Sequence, residues 1–252
     1  MIKNYSKNLS FLFVPFFCGL ISTLSLPPYN FFYLNFISFP FLLLFYLSLE
    51  IKKNFSSFLY GWIFGFAYFV SNIYWIANSL TVEEIFKPLI PLAITIIPLF
   101  LGSFYGISFL IFSYLKPKKK IGSIFLFALI FSFIEYLRGH IFGGFPWNLI
   151  SFSLVEVNQF LQILSYVGTY SFNLIVVTFF LVPSVILFEV TTKAKILTVF
   201  FALILIISNL IFGNLVLNKH NNILSSPLNL IIKNVSPKID LKRFFDGTDP
   251  SL

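Results

Sequence analysis

The sequence has 252 residues, of which 58% are hydrophobic and only 10% charged, with a formal net charge of +8. A soluble domain carries about a quarter charged residues, so this composition excludes an ordinary soluble protein and marks an integral membrane protein. The basic balance does not point to nucleic acid, because the lysines sit in short connections between apolar runs.

A membrane-crossing helix needs about 20 apolar residues, and seven candidate spans follow in chain order: 9–26, 31–49, 55–75, 88–115, 121–137, 160–187 and 195–217. The first has Lys3 and Lys7 ahead of an apolar core, as a signal peptide does. It lacks a small-residue cleavage site and runs into "LPPYN", so it is expected to be a retained helix. The turn "PPYN" (27–30) is short and forces an antiparallel hairpin with the second run. Cys18, the one cysteine, lies inside the first run. It has no partner for a disulfide or metal, and Phe16 and Phe17 before it rule out a lipidation signal, so it reads as a buried packing residue.

The third run carries Ser57, Gly61 and Gly65 at four-residue spacing, and the fourth carries Gly102 and Gly106. Small residues so spaced let helix backbones approach closely. The third ends on Tyr74 and Trp75, an aromatic edge followed by Glu83 and Glu84. The fourth is expected to start near Pro88 and to kink near Pro98, where a ladder hydrogen bond is lost.

With a cytoplasmic amino terminus, the inner segments hold ten basic residues: Lys3, Lys7, Lys52, Lys53, Lys116, Lys118, Lys119, Lys120, Lys193 and Lys195. The outer loops before the tail hold two, Lys87 and Arg138. That bias is the positive-inside pattern. "KPKKK" (116–120) therefore reads as a cytoplasmic anchor rather than a phosphate-binding patch. Seven crossings place the carboxyl terminus outside.

The fifth run ends in "EYLRGHIFGGFPWNLISFS" (135–153), the most polar and most turn-rich stretch of the membrane part. Glu135 and Arg138 share one helix face at i and i+3. An intramembrane carboxylate is expensive unless paired. Two readings stand side by side: a structural Glu135–Arg138 pair, or a lipid head group held by the bidentate donor geometry of Arg138. His140 has no nucleophile nearby in sequence, and no metal-ligand spacing is present. "GGFPW" (143–147) combines two glycines, a rigid proline and an interfacial tryptophan, and a loop so built is a candidate site.

After 217 the chain turns polar. "LNLIIKNVSP" (228–237) reads as one buried-type strand, which cannot stand alone. The tail is expected to be the start of a soluble domain. The domain division expected is 1–217, a transmembrane helical bundle, and 218–252, an outer linker with the first strand of that domain.

"EYLRGHIFGGFPWNL" closely resembles the signature E-W-L-R-G-x-x-x-T-G-F-P-W of bacterial apolipoprotein N-acyltransferases. "GWIFGFAYFVSNIYWI" resembles that family's third-helix block, "LSLPPYNFFYL" its first outer turn, and "LQILSYVGTYSFNLIVV" (161–177) the stretch after the signature. The resemblance covers about residues 9–217. Tyr136 stands where the family commonly has Trp. Gly143 stands where it usually has Thr, a departure that alters loop rigidity.

The resemblance implies an enzyme of the bacterial inner membrane that transfers an acyl chain from a phospholipid to the amino group of a lipoprotein's lipidated N-terminal Cys. It implies no cofactor and no metal. It places the chemistry, through a Cys thioester with a Glu base and a Lys, in a periplasmic nitrilase-like α/β domain, of which 218–252 is expected to be a truncated stub. No Cys follows position 18, so no catalytic residue is carried over, and this chain alone is expected to be inactive. The hydrolase domain is expected to be missing here or separately encoded. The residues taken as candidates for lipid or substrate contact are Glu135, Arg138, Gly144, Phe145, Pro146, Trp147 and Trp75. The alternatives are a non-catalytic membrane scaffold and a small-molecule transporter. The scarcity of ionisable groups within the spans argues against the transporter.

Overall fold

A computed structural model describes residues 2–49, 51, 54–115, 120–224, 233 and 235, and all regular structure among them is helical. Helix is the physical consequence of long apolar runs in lipid: with no water to bond, each backbone group must be satisfied within its own segment. The helices are α1 (Ile2–Thr23), α2 (Asn35–Ser48), α3 (Asn54–Asn72), α4 (Ile90–Leu115) and α5 (Lys120–Arg138). Four shorter pieces follow, α6 (Asn158–Leu161), α7 (Leu164–Val167), α8 (Thr169–Leu181) and α9 (Ser184–Leu187), and then α10 (Thr192–Leu224).

α1 stops at Thr23, and Pro27 and Pro28 cannot continue it. Asn30 then adopts a left-handed φ of 59°, and the chain reverses into α2, which packs back on α1. Polar side chains tie the hairpin from inside: the Ser22 and Ser38 hydroxyls are 2.8 Å apart, and Asn35 Nδ2 donates to Ser25 Oγ at 2.7 Å. Cys18 is buried, as expected of a packing residue.

α3 and α4 form the most extensively packed pair. Their small-residue rows meet: Gly65 lies against the Gly102 backbone, Gly61 against the Tyr105 carbonyl, and Gly106 against Phe58. α1 closes on the other side of α3, with Gly19 against the Phe64 carbonyl. The space among α2, α3, α4 and α5 is filled by rings. Tyr105 stacks on Phe131 at 4.5 Å between centroids, Phe127 meets Phe109 edge-on at 4.9 Å, and Tyr46 meets Phe109 at 5.0 Å. Aromatic pairs at such separations favour offset and edge-on arrangements, so much of the chain's phenylalanine serves as core.

Among the described residues four helical segments are long and apolar enough to cross a membrane: Glu84–Leu115, Lys120–Arg138, Thr169–Leu187 and Thr192–His220. Leu9–Thr23 and Phe32–Ser48 are shorter apolar helices. α3 occupies the third expected span but ends at Asn72, and Tyr74–Thr81 continues as a 3-10 helix carrying Trp75. The fourth span begins at Ile90, after the 3-10 segment Glu84–Leu89 that contains Pro88.

The run expected as one helix over 160–187 is broken into α6 to α9. Gly168 has a φ of +76°, outside the helical region, and separates α7 from α8. α10 runs on through the first residues expected to be linker, as far as Leu224. Lys52, Lys53, Lys116, Lys118, Lys119 and nearly all of the strand expected over 228–237 lie outside the described residues. At one end of the bundle Lys120 pairs with Glu189 at 2.8 Å and Lys195 Nζ donates to the Ile186 carbonyl. At the other end the turn 24–31, the segment 73–89 and the loop 139–157 gather.

The close α3–α4 contact generates a first prediction. A side chain at Gly102 would run into the Phe66 amide and the Trp62 carbonyl, and neither backbone can yield alone. Gly102→Val is expected to destabilise the bundle by about 2 kcal/mol or more. Thermal unfolding of the detergent-solubilised chain checks this against Ile96→Val, a change at an exposed position of the same helix.

Candidate functional site in the loop after helix α5

The last turn of α5 carries two ionisable side chains into the interior. Glu135 is 0% and Arg138 1% exposed. α4 and α8 flank that turn, and each aims one polar side chain at it. Tyr105 of α4 donates its hydroxyl to Glu135 Oε1 at 2.9 Å, and Asn173 Nδ2 of α8 donates to Glu135 Oε2. The Ile150 amide also bonds to the carboxylate. The carboxylate therefore has donors from two neighbouring helices and from the loop.

Asn173 uses both ends of its amide, since its Oδ1 accepts the Ser151 N–H at 2.9 Å. Glu135 and Asn173 together capture two successive backbone N–H groups, Ile150 and Ser151, at the start of the 3-10 helix Ile150–Leu154. Arg138 grips the earlier part of the same loop. Its Nη1 donates to the Phe145 carbonyl at 2.5 Å and to the Trp147 carbonyl at 2.9 Å. Its Nη2 lies 3.7 Å from Glu135 Oε1, and its Cζ sits over the Phe69 and Phe145 rings at 5.2 and 5.8 Å. Tyr68 of α3 completes the hold by donating to the Asn148 carbonyl at 2.9 Å.

Between these anchors the loop turns sharply. Phe142, Gly143, Gly144 and Asn148 all have positive φ, at 54°, 82°, 76° and 58°. This explains glycine at 143, where a β-branched residue would be strained. At Gly144 an added Cβ would strike the Gly139 carbonyl, and at Gly139 it would strike the Tyr170 hydroxyl. His140 is exposed, its ring 4.2 Å from Tyr136 and its Nδ1 bonded to the Tyr136 carbonyl.

The outcome is a cleft of about 390 Å³ lined by Leu26, Pro27, Trp75, Trp147, Asn148, Phe152 and Val155. Trp75 and Trp147 come from segments far apart in sequence. They meet here at 45% and 54% exposure, offering two indole faces in an otherwise apolar wall. Phe145 packs beside Trp147 at 5.3 Å and against the core, and Pro146 is exposed. Of the sequence candidates, Trp75 and Trp147 thus line the cleft. Glu135 and Arg138 lie beneath its loop as a buried pair, and Gly144, Phe145 and Pro146 shape the turn.

Three contributors were not singled out from sequence: Tyr68, Tyr105 and Asn173. Asn173 left a readable signal, a carboxamide inside an apolar run, which implies a buried partner. The two tyrosines left none, because tyrosine is common throughout this chain. Among the described residues no group of three or more His, Cys, Asp or Glu gathers to hold a metal ion. The arrangement has no nucleophile beside a base. What it presents at the surface is a mainly apolar cleft with two tryptophans in its lining.

A family model described as the apolipoprotein N-acyltransferase N-terminal domain matches residues 18–182. The apolipoprotein N-acyltransferase of Sinorhizobium medicae (strain WSM419) is 34% identical over 188 residues, covering 71% of this chain and 35% of that protein. That of Brucella melitensis biotype 1 is 34% identical over 180 residues, covering 68% of this chain and 34% of that protein. The chain spans about a third of the length of the curated relatives it matches.

The lock beneath the loop predicts its own failure. Asn173→Leu leaves the Ser151 N–H unpaired and removes a donor from a buried carboxylate, which is expected to cost about 1–3 kcal/mol. The loop should release first. Hydrogen exchange at 144–155 is expected to rise by at least tenfold while α3 and α4 remain protected, and exchange mass spectrometry checks it.

Proposed function

The chain belongs to the apolipoprotein N-acyltransferase family, and from that premise we propose that it forms the membrane part of an enzyme that moves an acyl chain from a phospholipid to the N-terminal amino group of a diacylglyceryl lipoprotein. The single observation that carries the reading is the two-tryptophan cleft held open above a buried ionic lock. A phospholipid tail needs an apolar wall, and its glyceryl region needs an amphipathic edge. Indole rings at an interface supply both.

Within this reading the residues divide by role. Trp75 and Trp147, with Leu26, Pro27 and Phe152, contact the acyl chain. Arg138 acts as a positioning residue: one of its nitrogens is spent on the Phe145 and Trp147 carbonyls, and it is too deeply buried to meet a head group directly. Glu135 keeps Arg138 and Asn173 oriented. Bond making and breaking falls to a hydrolase-type domain outside the described residues.

The proposed topology has seven crossings, with the amino terminus in the cytoplasm of a bacterial inner membrane and the loop end outside. The lysine bias supports the orientation. α1 and α2 count as crossings through their packing on α3 and α8. α3 is flanked by α1 and α4, and protein contact relaxes the demand that lipid would make on its polar side chains.

The test is a chimera in which residues 1–217 replace the matching part of the Sinorhizobium medicae relative, in cells depleted of their own enzyme. N-acylation of a reporter lipoprotein, read by mass spectrometry of its N-terminal peptide, is expected to be restored. No acylation from a chimera that inserts normally would overturn the reading. In the working chimera Arg138→Ala is expected to lower acyl transfer at least tenfold without preventing insertion. Trp75→Ala is expected to raise the KM for phospholipid several-fold more than it lowers kcat.

A further inference from the structure

α10 is the least buried of the membrane-capable helices, yet it carries a polar side chain in its middle. Asn209 is 8% exposed, and its Oδ1 has no hydrogen-bond partner. Its depth follows from helix rise. Fourteen residues separate it from Lys195 and eleven from His220, about 21 and 16 Å at 1.5 Å per residue. In a hydrocarbon layer about 30 Å thick, Asn209 lies well inside. An unbonded carboxamide at that depth is unfavourable, and polar groups so placed mark a contact or a pathway.

Asn209 lines an open groove, with its Oδ1 buried. A cavity of about 300 Å³ is lined by Ile163, Ile175, Phe179, Leu205, Ser208, Asn209 and Phe212. A second, of about 330 Å³, shares Ile175, Phe179 and Leu205 and extends to Phe125 and Leu129 of α5. Together they make one furrow between α8 and α10. α10 is held beyond both ends of it. Gly213 lies against the Gln159 backbone on one side, and Lys195 bonds the Ile186 carbonyl on the other. The furrow lies in the stretch between those two holds.

Two features decide what fits. Leu205, Ser208, Asn209 and Phe212 fall at i, i+3, i+4 and i+7, the spacing of one helix face and of a helix–helix seam. A lipid tail would cover the leucine and the phenylalanines but carries no donor or acceptor at this depth, so Asn209 would stay unpaired. A second helix satisfies its own backbone internally and can bring a polar side chain to the same level.

We propose that the furrow between α8 and α10 is the docking site of a partner transmembrane helix bearing a carboxamide or hydroxyl side chain at the depth of Asn209. The partner's side chain bonds the Asn209 amide, and its apolar neighbours fill the space beside Ile175, Phe179 and Leu205. The interaction is independent of acyl transfer and is tested without it.

The experiment uses the full chain, donor-labelled at its amino terminus, in phosphatidylcholine vesicles. The probe is an acceptor-labelled Leu/Ala transmembrane peptide with one central Asn, compared with the same peptide carrying Leu there. Energy transfer is expected to show the Asn peptide binding about three- to tenfold more tightly, with the preference lost in Asn209→Leu. Leu205→Trp, which fills the furrow from the same face, is expected to weaken both peptides. Self-association of the chain that disappears in Asn209→Leu would also support the site and would identify the partner as a second copy. Equal binding of the two peptides, or a preference that survives Asn209→Leu, overturns the proposal. So does a photoreactive lipid tail that labels Phe179 and Phe212 undiminished by the Asn peptide, because lipid is then the occupant.

Discussion

The structure at the loop end depends on keeping one carboxylate, Glu135, inside a bundle that offers it no water. A buried charge is tolerated only when its partners are complete, and the partners come from everywhere around it. Tyr105 reaches from α4, Asn173 from α8, Arg138 from the next turn of α5, and Ile150 from the loop. Meeting the needs of that group fixes α4, α5 and α8 relative to one another at this level. It also converts the loop after α5 from a mobile connection into a fixed surface. The loop is held through its backbone, so the exposed faces of its side chains remain free for a ligand.

The same economy explains why the polar residues of the chain are few and placed as they are. Ser22, Ser25, Asn35 and Ser38 bond one another inside the α1–α2 hairpin. Tyr46 bonds Ser57, and Tyr60 bonds the Leu42 carbonyl. In hydrocarbon an unpaired polar group is worse than none, so each polar side chain in a span is a statement about a neighbour. Asn209 Oδ1 has no hydrogen-bond partner among the described residues, and neither do Arg138 Nε and Nη2 at the loop end, but it alone of these stands on the groove-lining face of α10.

The division of labour in the loop follows from geometry. Arg138 can face carbonyls or anions, but its Nη1 is already shared between Phe145 and Trp147. The cation therefore acts on the shape of the site. The tryptophans stand at its surface, partly exposed in the lining of the cleft. Among the described residues no nucleophile stands beside a base in this arrangement, and Cys18 is buried.

Much of this was legible in the sequence. Hydrophobic runs fixed the helical class, because lipid leaves the backbone no alternative. The four-residue spacing of Gly61 and Gly65, and of Gly102 and Gly106, announced close helix packing. Glu135 and Arg138 stood out because charge inside an apolar run needs a reason. The tertiary structure decided the rest. It put Trp75 beside Trp147 in one cleft, it set the Phe145 and Trp147 carbonyls against Arg138 Nη1, and it brought Asn173 and Tyr105 to the carboxylate. It also broke the run expected over 160–187, where left-handed Gly168 ends one helical piece and starts another. Those outcomes depend on which faces of distant helices meet. Periodicity along one helix records that a face exists, but only packing between helices determines what that face touches.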